Sequence, residues 1–156
     1  MTGRGLAGRG CDLHGGLATG IATFETRVPA WEEWDAGHLP APRLVAETGS
    51  GHDSVGWAAL SPVSARPCYS GVAEVTVYVA AAARGQGVGR ALLARLVTEA
   101  PEDGLWTLQA SVFAANAPSL ALHRRCGFRE VGRRERIAQR DEAWHDTVLL
   151  ELRLPG

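Results

Sequence analysis

The stretch that most constrains this chain runs from residue 71 to residue 100, where an alternating segment, a glycine loop and an apolar-striped segment follow without interruption. In "GVAEVTVYVA" (71–80), Val75, Val77 and Val79 fall on one side and Glu74, Thr76 and Tyr78 on the other, the period-2 pattern of a half-buried strand. After "RGQGVGR" (84–90), Leu92, Leu93, Leu96, Val97 and Ala100 recur at helical spacing, and Pro101 with Asp103-Gly104 ends the pattern. Glycine costs conformational entropy, so Gly85, Gly87 and Gly89 imply positive φ or close backbone approach. A helix that opens on such a loop aims unpaired amides and its positive dipole end outward, which suits an anion. A Walker A loop would need GxxxxGK followed by Ser or Thr, but Arg90-Ala91 stand here. A GxGxxG fingerprint begun at Gly85 meets Arg90 at its sixth position. What remains is a strand–loop–helix nest for a diphosphate, with a ligand-free glycine turn as the alternative.

The rest of the chain supplies strands and helices that share one core. The opening MTGRGLAGRGCDLHGG is rich in glycine and lacks apolar periodicity, so residues 1–16 are expected to be loose, with one domain from 17 to 156. "GIATFET" (20–26) suits a strand, and "AWEEW" after Pro29 suits a short helix with Glu32 and Glu33 in its first turn. "RLVAE" (43–47) and "SVGWAALSPV" (54–63) read as a hairpin across Thr48–Asp53. "LWTLQASVF" (105–113) reads as a buried strand. "SLALHRRC" (119–126) reads as a helix introduced by Asn116-Ala117-Pro118 and stopped at Gly127. "FREVGRRERI" (128–137) and "WHDTVLLELRL" (144–154) read as final strands around a turn over 139–142. The predicted order is β-α-β-β-β-loop-α-β-α-β-β, an α/β (α+β) fold.

Charge and cysteine usage narrow the function. Sixteen basic and seventeen acidic residues leave a formal charge of −1 with the signs interspersed, so the footprint of a nucleic-acid binder is missing. Cys11, Cys68 and Cys126 are an odd number with no CxxC pair, and His14, His38, His52, His123 and His145 show no HExxH spacing. No disulfide framework and no metal are expected. No stretch is long and apolar enough to span a membrane, and no signal-peptide core is visible, so the expected location is the cytoplasm, a reducing compartment.

Taken in order and spacing, "ATFET", "RLVAE", "AEVTVYV", "RGQGVGRALL", "NAPSLALHRRCGF" and "WHDTVLLEL" resemble the GNAT superfamily of N-acetyltransferases. The resemblance covers about residues 20 to 154 and is strongest to the phosphinothricin and methionine sulfoximine N-acetyltransferase branch. Arg84, Gly87 and Gly89 match the coenzyme A signature R-x-x-G-x-G, which is specific to the superfamily rather than to a substrate. The resemblance implies a bent mixed sheet whose central strands splay around the pantetheine arm of acetyl-CoA. Coenzyme contacts then fall to Val77, Val79, Arg84, Gly85, Gln86, Gly87, Val88, Gly89, Arg90, Asn116 and Ser119, with a main-chain amide near Val79 for the oxyanion. Asn116 and Ser119 read equally as helix-capping groups. Relatives begin with a strand and a long helix bearing an "IYN"-type segment. The glycine-rich opening stands there instead, which predicts an altered or truncated first strand and acceptor wall.

N-acetyl transfer needs a neutral amine, yet an α-ammonium titrates near about 8 in model peptides, so a base must remove its proton. The resemblance matches Glu74 to that general base, acting directly or through water. His123 stands where many relatives carry a tyrosine that protonates the departing thiolate, and the phosphinothricin branch carries histidine. It could equally relay the amine proton, and these roles stay open. The acceptor is expected to be a small amino-acid-like amine, recognised by Arg66, Tyr69, Thr76, Phe24, Thr23 and the Trp144-His145-Asp146 motif, in part from the second subunit of a homodimer. Cys68 and Cys126 read as plain packing or loop residues. Two other readings compete: a coenzyme A-binding module with little catalysis, and an acetyltransferase for a protein N-terminus or a polyamine.

Overall fold

The computed structural model describes residues 31–47, 49 and 53–155. The elements are α1 (Trp31–Gly37), β1 (Arg43–Glu47), β2 (Ser54–Pro62), β3 (Val72–Val79), α2 (Val88–Glu99), β4 (Thr107–Phe113), α3 (Ala117–Arg125), β5 (Arg129–Arg140) and β6 (Ala143–Arg153). Six strands make one sheet in the order β1-β2-β3-β4-β6-β5. Every neighbouring pair is antiparallel except β3 with β4, so the α/β fold expected from the sequence is a mixed sheet. The expected loose segment 1–16 and the strand over 20–26, with Thr23 and Phe24, lie outside the described residues.

Alternation along the strands gives the sheet two unlike faces. One carries Ala58, Leu60, Ala73, Val75, Leu108, Ala110, Val112, Val148 and Leu150, and packs against Leu92, Leu93 and Leu96 of α2 and Leu120 of α3. Leu93, Leu96, Leu108 and Leu150 are completely buried, so this layer holds the hydrophobic core. The other face carries Trp57, Ala59 and Tyr78, covered by Trp34 of α1. Trp34 stacks on His38 at 4.1 Å between ring centroids and meets Trp57 edge-on at 5.5 Å, which is the preferred geometry for the ring quadrupoles. The Arg43 guanidinium lies 5.0 Å from the Trp34 ring and donates to Asp35 Oδ1 at 2.5 Å, fastening α1 to β1.

The last hairpin is tighter than the sequence suggested. β5 runs on to Arg140, and only Asp141 and Glu142 make the turn, with φ of 52° and 64°. Two consecutive left-handed residues match the twist of the flanking strands, whereas the expected turn over 139–142 would have ended pairing early. The register of β5 slips between Arg134 and Ala138, and Arg136 there takes a φ of 49°. Asp146 accepts from the Arg136 amide at 2.8 Å and from Arg133 Nη2 at 2.7 Å, so its carboxylate ties down this bulge. Those partners hold Asp146 below the ordinary carboxylate range, the Arg136 amide most of all.

Candidate active site

The parallel pair β3–β4 is the weak seam of the sheet. Pairing covers Val72↔Thr107, Ala73↔Leu108 and Glu74↔Gln109, then stops, although β3 continues to Val79 and β4 to Phe113. Ala80 N–H donates to Val55 O at 2.8 Å, so strand alternation turns the main-chain groups of Val75, Val77 and Val79 away from β2, toward β4. Ala114 N–H donates to Asp146 O at 2.9 Å, which by the same alternation turns those of Ser111 and Phe113 toward β3. The opening is thus edged by backbone donors and acceptors that no ladder uses. An extended chain with amide groups, such as a pantetheine arm, has the complementary pattern.

At the far end of β3 the glycine loop begins. Gly85 and Gly87 take φ of 78° and 81°, conformations that side chains resist. Gly89 has a different reason: a Cβ there would lie 3.3 Å from Leu122 Cδ2 and 3.4 Å from Val79 Cγ2, where α2 closes on α3 and β3. Gly87 is the N-cap of α2 with no side-chain capping bond, and the first helical bond runs from Ala91 N–H to Gly87 O at 3.0 Å. The amides of Val88, Gly89 and Arg90 therefore open outward as helix-terminal donors. Arg84, Gln86 and Arg90 are exposed around them, and Arg84 Nε donates to Val79 O at 3.2 Å, binding loop to strand end. This cradle fits a diphosphate.

Glu74 stands at the other end of the opening, half-buried, on the last paired rung. Gln109 Nε2 donates to its Oε1 at 3.4 Å. Thr76 lies one rung further on the same face, opposite Ala59 of β2. Sequence reading passed over Gln109; its only signal was a side-chain amide in a strand whose other residues are apolar or hydroxyl-bearing.

His123 projects from α3, 4% exposed, with its ring edge-on to Phe128 at 5.3 Å. A carbonyl only accepts, so the 2.7 Å contact between Nδ1 and Ser119 O places the proton on Nδ1 and leaves the Nε2 lone pair free to accept. Burial pushes its pKa down, with the Ser119 bond opposing in part, which favours the neutral imidazole. Asn116 caps α3, its Oδ1 accepting from Ser119 N–H at 3.3 Å, so the capping role expected for it is present.

The structure does not gather the expected acceptor residues around Glu74 equally. Arg66 and Tyr69 are exposed in the loop between β2 and β3, at the end of β3 opposite the glycine loop. His145 packs its ring 5.0 Å from Phe113, beside the β4 wall of the opening. Trp144 is half exposed under Arg136, and Asp146 is spent on the β5 bulge, so of that motif only His145 meets the wall. Cys68 and Cys126 are free thiols; burial raises the Cys126 pKa while Arg90 opposes in part. Among the described residues no three His, Cys, Asp or Glu side chains come together to hold a metal, and no helix is long and apolar enough to cross a membrane.

A sheet parted between β3 and β4, with a glycine cradle leading into α2, defines a class, and the acetyltransferase (GNAT) family model matches residues 19–128. The chain belongs to this family. It is an acyltransferase, and acetyl-CoA is its co-substrate. Among individual proteins it is 34% identical over 138 residues to phosphinothricin N-acetyltransferase of Streptomyces coelicolor, covering 81% of each chain. It is 34% identical over 113 residues to the L-methionine sulfoximine/L-methionine sulfone acetyltransferase of Pseudomonas aeruginosa, covering 72% of this chain and 65% of that protein. The crystal structure of a GNAT superfamily phosphinothricin acetyltransferase from Sinorhizobium meliloti, in complex with acetyl-CoA, superposes with a TM-score of 0.88 at 27% identity, covering 99% of this chain and 85% of that one.

Proposed function

We propose that the enzyme acetylates the primary amine of a small amino-acid-like acceptor of the phosphinothricin or methionine sulfoximine type, with Glu74 as general base. The observation that carries the reading is the position of this carboxylate where β3 and β4 part, about 17 Å of strand from Val79, where β3 ends ahead of the glycine loop. The α2 amides and Arg84–Arg90 hold the diphosphate, and the main-chain groups of Val77 and Val79 that no ladder uses hold the extended arm, with a β3 main-chain N–H nearer Glu74 facing the carbonyl that becomes an oxyanion. Glu74, directly or through one water, takes the ammonium proton so that the nitrogen lone pair can attack the thioester carbon. His123 then serves through Nε2 as a proton acceptor or relay, because its neutral Nδ1–H form has no proton at Nε2 to give. Thr76, Arg66, Tyr69 and His145, with Phe24, complete the acceptor site in this reading. The names of the relatives support the acceptor class. A single domain over residues 17–156, a cytoplasmic location and a homodimer go with it.

A thiol-release assay with acetyl-CoA tests this across methionine sulfoximine, phosphinothricin, free amino acids and a peptide with a free N-terminus. The expected result is highest kcat/KM on a sulfoximine or phosphinate, with kcat falling about 100-fold or more in Glu74→Gln. A Glu74→Gln enzyme that matches the parent overturns the base assignment, and a peptide preferred over every small acceptor overturns the acceptor class.

A further inference from the structure

We infer that Gln109 is the positioning residue of this enzyme: its side-chain amide holds the Glu74 carboxylate in place where the strands part. The inference rests on the reading of Glu74 as the base. Strand register sets a polar row across one face of the sheet, Ser61↔Glu74, Glu74↔Gln109, Gln109↔Glu151 and Glu151↔Arg129. Arg129 is ion-paired to Glu151, so the cation in the row is used at its far end. Gln109 thus stands between two carboxylates as a neutral group, and its Nε2 reaches Glu74 Oε1 at 3.4 Å. Since a carboxylate only accepts, the amide must turn its N–H toward Glu74.

Charge explains why glutamine suits this place. An arginine or lysine at the last rung would orient the carboxylate but would also stabilise it as an anion and weaken it as a base. A leucine would leave it free to rotate. A neutral donor orients it at a smaller cost in basicity than a cation would. The 3.4 Å separation is long for such a bond, as catalytic hydrogen bonds often are before substrate closes the site. The other charged or titratable groups that strand register puts on this face are Tyr78 along β3, Arg43 on β1, Arg134 and Arg140 on β5, and His145 and Arg153 on β6, and none stands on the Glu74 rung.

A kinetic double-mutant cycle tests the inference, using acetyl-CoA with the best acceptor from the assay above. Gln109→Leu is expected to lower kcat about tenfold in the parent and less than twofold in Glu74→Gln, with the KM for acetyl-CoA unchanged. Gln109→Glu keeps the size and exchanges the donor for a second carboxylate, so it should lower kcat at least as far, and it serves the same cycle if Gln109→Leu fails to fold. An equal factor in both backgrounds, or full activity in Gln109→Glu, overturns the positioning role and leaves the base assignment standing. A Glu74→Gln enzyme with parental kcat overturns the base assignment, and this inference with it.

Discussion

Buried beside Phe128, His123 donates its Nδ1 proton to Ser119 O and has lost most of its water. Desolvation favours the neutral ring, so the folded state binds a proton less readily than the unfolded chain, where histidine titrates near about 6.5. Its contribution is therefore present above that value and is lost as pH falls toward the lower folded-state value. Urea midpoints measured at pH 7.5 and pH 5.5 should show the parent losing stability on acidification, and part of that loss should vanish in His123→Gln. An equal loss in both proteins would place the titrating group elsewhere. The role proposed for His123 has the same origin, since a ring kept neutral presents a lone pair at Nε2.

The pairing of β3 with β4 is decided at the scale of elements, by its first residues. Gly71 O accepts from Trp106 N–H at 2.8 Å and Thr107 N–H at 3.1 Å, which starts the parallel ladder. A Cβ on Gly71 would lie 2.0 Å from Trp106 Cε3 and 2.2 Å from Cδ2, inside the indole ring system. Gly71→Ala should therefore destabilise by about 1–3 kcal/mol, read as a lower urea midpoint, and should also lower kcat because the rung carrying Glu74 and Gln109 lies just beyond. Gly104, with open space at its Cβ but a φ of 80°, provides a control in which backbone conformation alone is charged. A Gly71→Ala protein as stable as the parent would show that the indole can move aside.

For the whole molecule, coenzyme binding and folding stability are linked, because the cradle exists only when β3, α2 and the loop are assembled. At 100 times its Kd, acetyl-CoA should add about 2.7 kcal/mol, raising Tm by about 5–10 °C for a domain of this size. Gly87→Ala should fold yet show a smaller rise, since its φ of 81° is strained for alanine and the amides that follow would turn from the ligand. A thermal scan without a ligand-dependent rise in the parent would overturn the cradle. Periodicity was enough to read β1 over 43–47, the two faces of β3 and the apolar stripe of α2, because local spacing alone dictates which side of an element is buried. Gly85 and Gly87 were legible for the same reason, as positive φ is a property of a single residue. Splayed central strands were implied by resemblance, but the rung at which β3 and β4 part, Glu74↔Gln109, came only with the tertiary structure, as did the Gln109 contact, the short hairpin turn at Asp141-Glu142 and the loss of Asp146 to the β5 bulge. Register joins residues 35 apart in the chain, and no local pattern carries that information; packing of α2 and α3 against one face and α1 against the other decides it.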